Sequence, residues 1–367
     1  MGLTSSTFLW FCIGLAVLAP VATVLLWPRA RGPRLVGGLQ RLGLIGLCQV
    51  TAVVLLGVLV NNNFYLYASW NDLLGTGGTS AVGADGILPT ASTHEARTVR
   101  KAFTATGQPG MGVIFDQTIK GTGSGLSENA LIYLPPEYND PNYARTRFPV
   151  ALMFPGYPGD PRVWTTLLPI PTVMSQEVAA GRAKPFIAVF VSATVAPPRD
   201  TECADVVNGP KVETFLAQDV RAQITKVLRV RTDRKGWAMM GSSLGGFCAV
   251  KMAMRHPDLY ASAVSLSGFY HALQDNTTGS LYGGNRARQN QNSPLWRLAH
   301  LPAPPISVLA TISKQERTYP EGRQFFAAVE PPMTLQTIVR PTGGHNPGAY
   351  RSLLGPAIDF MSKRFNS

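Results

Sequence analysis

Two runs near the start of the chain restrict its fold more than any other feature. Phe8 to Trp27 (FLWFCIGLAVLAPVATVLLW) and Leu42 to Val60 (LGLIGLCQVTAVVLLGVLV) span 20 and 19 residues without one charged side chain. A helix needs about 20 apolar residues to cross a bilayer. Runs this uniform leave no polar face for water, so two transmembrane helices are expected over 8–27 and 42–60. Pro20 is tolerated inside a membrane helix. Trp10 and Trp27 flank the first run, and Phe64, Tyr65, Tyr67 and Trp70 follow the second, where aromatic rings favour the headgroup level. A cleaved signal peptide fits the first run poorly. It lacks a basic flank before Arg29 and exceeds the usual 7–15-residue apolar stretch.

Arg29, Arg31, Arg34 and Arg41 cluster between or beside the two runs. Short basic loops stay on the cytoplasmic side. The expected placement is therefore a two-pass protein of the cell membrane, with everything after Val60 outside. Only 15% of the chain is charged, against about 25% for a soluble domain, and the two runs explain part of that deficit. They do not explain the net charge. Four of the 33 cations and none of the 21 acids fall in residues 1–60, so +8 of the +12 belongs to the remainder. A basic outer domain fits anionic lipid headgroups. Nucleic acid is not an expected partner, because no recognition helix or zinc motif is present.

The expected organisation is a membrane region over 1–60, a juxtamembrane segment and linker over 61–111, and a folded outer domain over 112–367. Gly75 to Gly86 (GTGGTSAVGADG) has linker composition. Beyond it, apolar runs alternate with helical periodicity. Strands are expected at Gly112–Ile119, Ala130–Leu134, Pro149–Phe154, Pro185–Val191, Trp237–Met240, Ala261–Leu266, Ile306–Ile312 and Met333–Val339. Helices are expected at Val212–Leu228, at Leu244–Arg255 and after Pro347. This alternation predicts an α/β fold with a mostly parallel sheet covered by helices. His271–His300 interrupts the pattern and reads as a polar insert that covers the site.

In open α/β sheets, chemistry gathers at the carboxyl ends of strands. One such turn is Gly241-Ser242-Ser243-Leu244-Gly245, a G-x-S-x-G sequence between a strand and a helix. The sharp reversal requires small residues and pushes Ser243 outward as a nucleophile. A serine hydroxyl needs a base. In this architecture the order is Ser, acid, His. His345, in Gly343-Gly344-His345 after the last strand, is the expected base. Glu316, the first carboxylate after the penultimate strand, is the expected acid, with Glu321 and Asp275 as alternatives. The oxyanion hole requires two backbone donors. Leu244 follows the nucleophile and supplies one. Tyr157, in the Phe154-Pro155-Gly156-Tyr157-Pro158-Gly159 loop, is the expected second, with Gly156 as the alternative, since proline has no N–H. Trp164 is a candidate for the site entrance, with packing in the interior as the equal alternative.

GSSLGG after a strand, HPDLYA after the helix, LSGFY after the next strand and GGHN near the end resemble the Putative esterase family of α/β-hydrolases. That family includes esterase D and the antigen 85 mycolyltransferases of actinobacterial envelopes. The resemblance runs from about Gly112 to Phe365, and GPKVETF before the elbow is similar to membrane-anchored envelope esterases of actinobacteria. It implies Ser243, Glu316 and His345 as the triad and Tyr157 and Leu244 as oxyanion donors. Pro347 stands where mycolyltransferases carry an aromatic, and Pro155 where they carry Asp or His. These departures count against mycolyl transfer to trehalose.

The expected activity is that of a serine esterase or acyltransferase on ester bonds of envelope lipids or acylated sugars. Mycolyl-type transfer, aminoacyl-phospholipid hydrolysis and an inactive binding domain are the alternatives. The chemistry needs no cofactor or metal. The acidic cluster Asp200, Glu202 and Asp205 reads as a solvated loop. Cys12 and Cys48 lie in the apolar runs. Cys203 and Cys248 lie in the outer domain, where an oxidising compartment permits a disulfide between them, with two buried thiols as the alternative.

Overall fold

The computed structural model describes residues 2–3, 5–30, 33–64, 67, 70–74 and 112–365. The Gly75–Gly86 linker, and all of the expected juxtamembrane segment between 75 and 111, lie outside the described residues.

The N-terminal unit contains two long helices, α1 (Ser6–Leu26) and α2 (Arg34–Phe64). The Ser5 hydroxyl caps α1 by accepting the Phe8 N–H, and Pro20 lies inside it. Apolar side chains are exposed along both helices, among them Trp10, Val24, Leu39 and Val53. Both helices are long and apolar enough to cross a membrane. Thr23 Oγ1 ties them together, lying 3.1 Å from Cys48 Sγ and 3.3 Å from the Leu44 carbonyl. The second helix starts earlier than expected, at Arg34 rather than Leu42. Its 31 residues reach about 46 Å at 1.5 Å per residue, well beyond a hydrocarbon core of about 30 Å. Arg34 and Arg41 are therefore helical rather than in a loop, and the Arg41 guanidinium sits 5.3 Å from the Trp27 ring centroid. Arg34, Leu35, Leu39, Gln40 and Arg41 are good helix formers, and the helix runs through Gly37 and Gly38 despite their low propensity.

The second unit is built on an eight-stranded sheet: β1 Val113–Lys120, β2 Ser127–Leu134, β3 Val150–Phe154, β4 Ile187–Val191, β5 Trp237–Ser242, β6 Ser262–Leu266, β7 Ser307–Ser313 and β8 Thr334–Arg340. The strand order is β1-β2-β4-β3-β5-β6-β7-β8. β2 runs antiparallel to both its neighbours, and every pairing from β4 to β8 is parallel. The four central strands β3, β4, β5 and β6 are buried along their whole length. A strand covered on both faces reads as an unbroken apolar run, which is what VALMF and IAVFV are. β8 is an edge strand and mostly exposed.

The helix after β5 runs from Leu244 to Arg255 and ends where Pro257 prevents its continuation. The expected Val212–Leu228 helix is interrupted by a π turn over Phe215–Asp219, followed by regular helix over Val220–Val227. The wider turn brings the Asp219 carboxylate onto the β1–β2 hairpin, where it accepts the N–H groups of Gly123 and Ser124 at 2.9 Å each. The His271–His300 insert holds two short helices, Arg286–Gln291 and Pro294–His300. It is not purely polar cover, because Leu281 and Tyr282 are buried in the hydrophobic core. Trp164 is fully buried and packs the interior instead of lining an entrance.

Candidate active site

The turn after β5 is shaped by two close backbone approaches and by one close side chain. A Cβ on Gly241 would lie 2.1 Å from the Gly245 carbonyl carbon, and one on Gly245 would lie 2.1 Å from the Phe154 carbonyl oxygen. On Gly246 it would meet Ser265 Oγ at 2.8 Å. Strand and helix can pass this closely only without side chains at these positions. Ser243 takes the strain of the reversal, with φ 54° and ψ −120°, in a region that L-residues rarely occupy. Its N–H donates to the Leu266 carbonyl at 2.8 Å, which fixes the turn to β6.

The loop after β3 lies against the same turn. A Cβ on Gly156 would come 3.2 Å from Ser243 Cβ and 3.8 Å from its Oγ. The loop closes on itself through the Gly159 N–H and the Gly156 carbonyl at 2.6 Å. Tyr157 donates its hydroxyl hydrogen to the Pro198 carbonyl. The amides of Gly156, Tyr157 and Leu244 donate to no protein acceptor among the described residues. The Leu244 amide is one of the N-terminal helix donors that have no partner within a helix.

Glu316 follows β7 and His345 follows β8. His345 Nδ1 is 2.9 Å from Glu316 Oε2, and the Glu316 side chain is almost fully buried. A carboxylate on Nδ1 selects the tautomer that leaves Nε2 as the basic nitrogen. The Gly343 N–H donates to Gln315 Oε1 at 3.1 Å, so the two loops are also joined beside the pair. The other carboxylates considered for this role have other partners. Glu321 lies 2.7 Å from His271 Nδ1 and accepts the Tyr270 N–H. Contact with Glu321 raises the pKa of His271. Asp275 accepts the N–H groups of Thr277 and Thr278 within the insert.

The segment from Pro198 to Asp205 departs from the solvated loop expected there. Asp200 and Glu202 are buried, and burial pushes the Asp200 carboxyl up to about 6. Glu202 accepts the Leu273 N–H at 2.7 Å and the Tyr282 hydroxyl at 3.1 Å. Lys251, wholly buried on the nucleophile helix, donates to the carbonyls of Glu202 and Cys203 at 2.6 and 2.9 Å. Burial raises the pKa of Glu202 and lowers that of Lys251. A disulfide joins Cys203 to Cys248 on the same helix, with Cα atoms 5.9 Å apart. Among the described residues, no group of three or more His, Cys, Asp or Glu side chains could hold a metal ion.

Residues 125–360 match the family described as Putative esterase, which is well over half of the chain. An uncharacterised protein of Corynebacterium glutamicum is 28% identical over 162 residues, covering 43% of this chain and 37% of that protein's length. Among solved structures, a ferulic acid esterase superposes with a TM-score of 0.61 at 19% identity, covering 70% of this chain and 100% of the other. An S-formylglutathione hydrolase of Agrobacterium tumefaciens gives 0.59 at 12% identity, with 71% and 98% coverage. The fluorophosphonate-binding serine hydrolase F of Staphylococcus aureus gives 0.56 at 15% identity, with 69% and 99% coverage. At these identities the structural likeness establishes the shared fold. The family match over residues 125–360 makes this chain a member of the Putative esterase family.

Proposed function

We propose that the chain is a membrane-anchored serine esterase or acyltransferase whose 112–367 domain works outside the cell on ester bonds of envelope lipids or acylated sugars. Ser243 Oγ attacks the ester carbonyl while His345 Nε2 takes the hydroxyl proton. Glu316 holds the imidazole and stabilises the imidazolium. The amides of Leu244 and Tyr157 bind the oxyanion of the tetrahedral intermediate. As the intermediate collapses, the C–O bond to the leaving alcohol breaks and His345 returns the proton to that oxygen. Water or a sugar hydroxyl then attacks the acyl-enzyme, His345 accepts its proton, and Ser243 is released with its own proton restored.

The observation that carries this reading is the strained Ser243 turn, which lies against Gly156 with the Leu244 and Tyr157 amides uncommitted. The names of the solved neighbours, ferulic acid esterase and S-formylglutathione hydrolase, denote hydrolysis of acyl bonds. The membrane placement is supported by the two apolar helices, and the orientation by the arginines near their junction. An oxidising exterior agrees with the Cys203–Cys248 bond.

Ester turnover by the purified full chain, followed with short p-nitrophenyl esters, tests the reading. Ser243→Ala is expected to lower kcat by about 10⁴-fold or more with the fold intact. Undiminished turnover in that variant would remove Ser243 from the mechanism. Comparing the envelope lipids of a Ser243→Ala strain with its parent then identifies the acyl donor, as the ester that accumulates.

A further inference from the structure

We infer that the Tyr157 side chain is a positioning residue: its hydroxyl, latched to the Pro198 carbonyl, holds the neighbouring amide where the oxyanion forms. The inference rests on the esterase reading above and adds to it a device outside the triad.

The oxyanion loop is restrained on two sides. On one side Gly156 packs against Ser243, so the peptide preceding the Tyr157 amide has little room to move toward the nucleophile. On the other side, the only restraint contributed by the Tyr157 side chain through a hydrogen bond, among the described residues, is the bond to Pro198. A backbone donor is useful to a developing oxyanion only if it is already aimed there, since reorientation during the reaction would cost what the donor supplies.

The acceptor of that latch is itself held rigidly. Beyond Pro198, Arg199 Nε donates to the Thr278 carbonyl at 2.8 Å, and the Asp200 N–H donates to the Thr277 carbonyl at 3.1 Å. Glu202 and Cys203 adopt left-handed backbone angles, with φ 46° and 53°. Such angles at consecutive side-chain-bearing residues persist only where the surroundings over-determine them. Here the surroundings are the Lys251 ammonium on both carbonyls, the disulfide to Cys248, and the Leu273 and Tyr282 donors on the Glu202 carboxylate. Lys251 and Cys248 belong to the helix that begins beside Ser243. The 198–205 segment thus joins the nucleophile helix to the oxyanion loop. The nucleophile and the second oxyanion donor are referenced to one rigid body, and Tyr157 is the last link.

The test is a double-mutant cycle on the full chain in detergent. Tyr157→Phe removes only the hydroxyl. It is expected to lower kcat about tenfold, with KM within about twofold and an unchanged melting temperature. Phosphonylation by a compact fluorophosphonate, whose phosphoryl oxygen occupies the same hole, should slow in parallel. The paired change Cys203→Ala with Cys248→Ala loosens the far end of the segment. It should lower kcat about fivefold in the wild-type background but by no more than about twofold further in the Tyr157→Phe background, because both changes act through one link. A Tyr157→Phe enzyme with wild-type kcat overturns the inference, as does one whose loss lies entirely in KM. Fully multiplicative effects of the two changes also overturn it. If the cysteine pair does not yield folded protein, Tyr157→Phe alone decides. Failure of the esterase reading is recognised separately, because the wild-type chain would then react with no fluorophosphonate.

Discussion

Replacing Cys203 and Cys248 together by alanine removes the covalent link between the 198–205 segment and the nucleophile helix. The two cysteines are 45 residues apart in sequence. In the chain-entropy description, closing a loop of that length lowers the entropy of the unfolded ensemble by about 13 cal/mol/K, or about 4 kcal/mol at 25 °C. For a domain of 150–250 residues, 1 kcal/mol corresponds to about 2–4 °C, so the melting temperature should fall by about 8–16 °C. Both cysteines are fully buried, so losing their sulfur atoms from a packed interior acts in the same direction. The assay is thermal unfolding of the purified full chain in detergent, read by near-ultraviolet circular dichroism at one scan rate. Non-reducing peptide mapping of the wild type establishes the bond itself. A shift below about 2 °C, in a protein whose wild type carries the bond, would refute the entropic reasoning. Two free thiols in the wild type would refute the premise.

Other perturbations separate the parts of the site. Gly156→Ala puts a methyl 3.2 Å from Ser243 Cβ and 3.4 Å from the Ser242 carbonyl, so one of them must shift by a few tenths of an ångström. Its kcat/KM should fall at least about tenfold with little change in melting temperature, and an unchanged rate would place the reacting carbonyl elsewhere. Glu316→Gln replaces the buried acceptor at His345 Nδ1 with a side chain that can favour the wrong tautomer. A loss of about 10³–10⁴-fold in kcat is expected, with KM held, and less than about fivefold would show that Glu316 does not orient the base. Asp200 keeps its proton up to about pH 6 in the folded protein, against an ordinary carboxyl near 3.8. Between those pH values the folded state binds more protons than the unfolded state, so stability falls as pH rises, by at most about 3 kcal/mol from this group. Asp200→Asn should flatten that fall in melting temperatures taken from pH 4 to pH 7. A fall as steep as in the wild type would mean that Asp200 ionises normally.

The legible parts of the sequence were those where local chemistry and position agree. The Leu244–Arg255 helix appears with both ends as read, because the glycine turn starts it and His256-Pro257 stops it. β3 and β4 were evident as short apolar runs, since central parallel strands alternate no polar face. β2 extends three residues further back than expected, to Ser127. Its outer end pairs only with β1 and is exposed, so Ser127-Glu128-Asn129 carries no apolar signal. The crossover that places β4 between β2 and β3 is a choice among pairings, which periodicity does not encode.

At the candidate site, Ser243, Glu316 and His345 are the proposed triad, singled out by a turn pattern and by chain order, which can be read without knowing any long-range contact. The Glu202 environment was missed for the opposite reason. A carboxylate in a polar stretch reads as solvated. Its burial depends on Lys251, Leu273 and Tyr282, which lie 49, 71 and 80 residues away. The Tyr157–Pro198 latch spans 41 residues and was hidden for the same reason. The early start of α2 was obscured by Arg34 and Arg41, whose charges resemble a loop although their helix propensity is high.

The central claim is that Ser243 carries the acyl group. Peptide mass spectrometry of the full chain, quenched in acid during turnover of a slowly deacylated ester, locates that group directly. The account predicts a mass increment equal to the acyl group on the peptide containing Gly241–Gly246, absent from Ser243→Ala. An increment on another residue, or none while ester is being consumed, would contradict it.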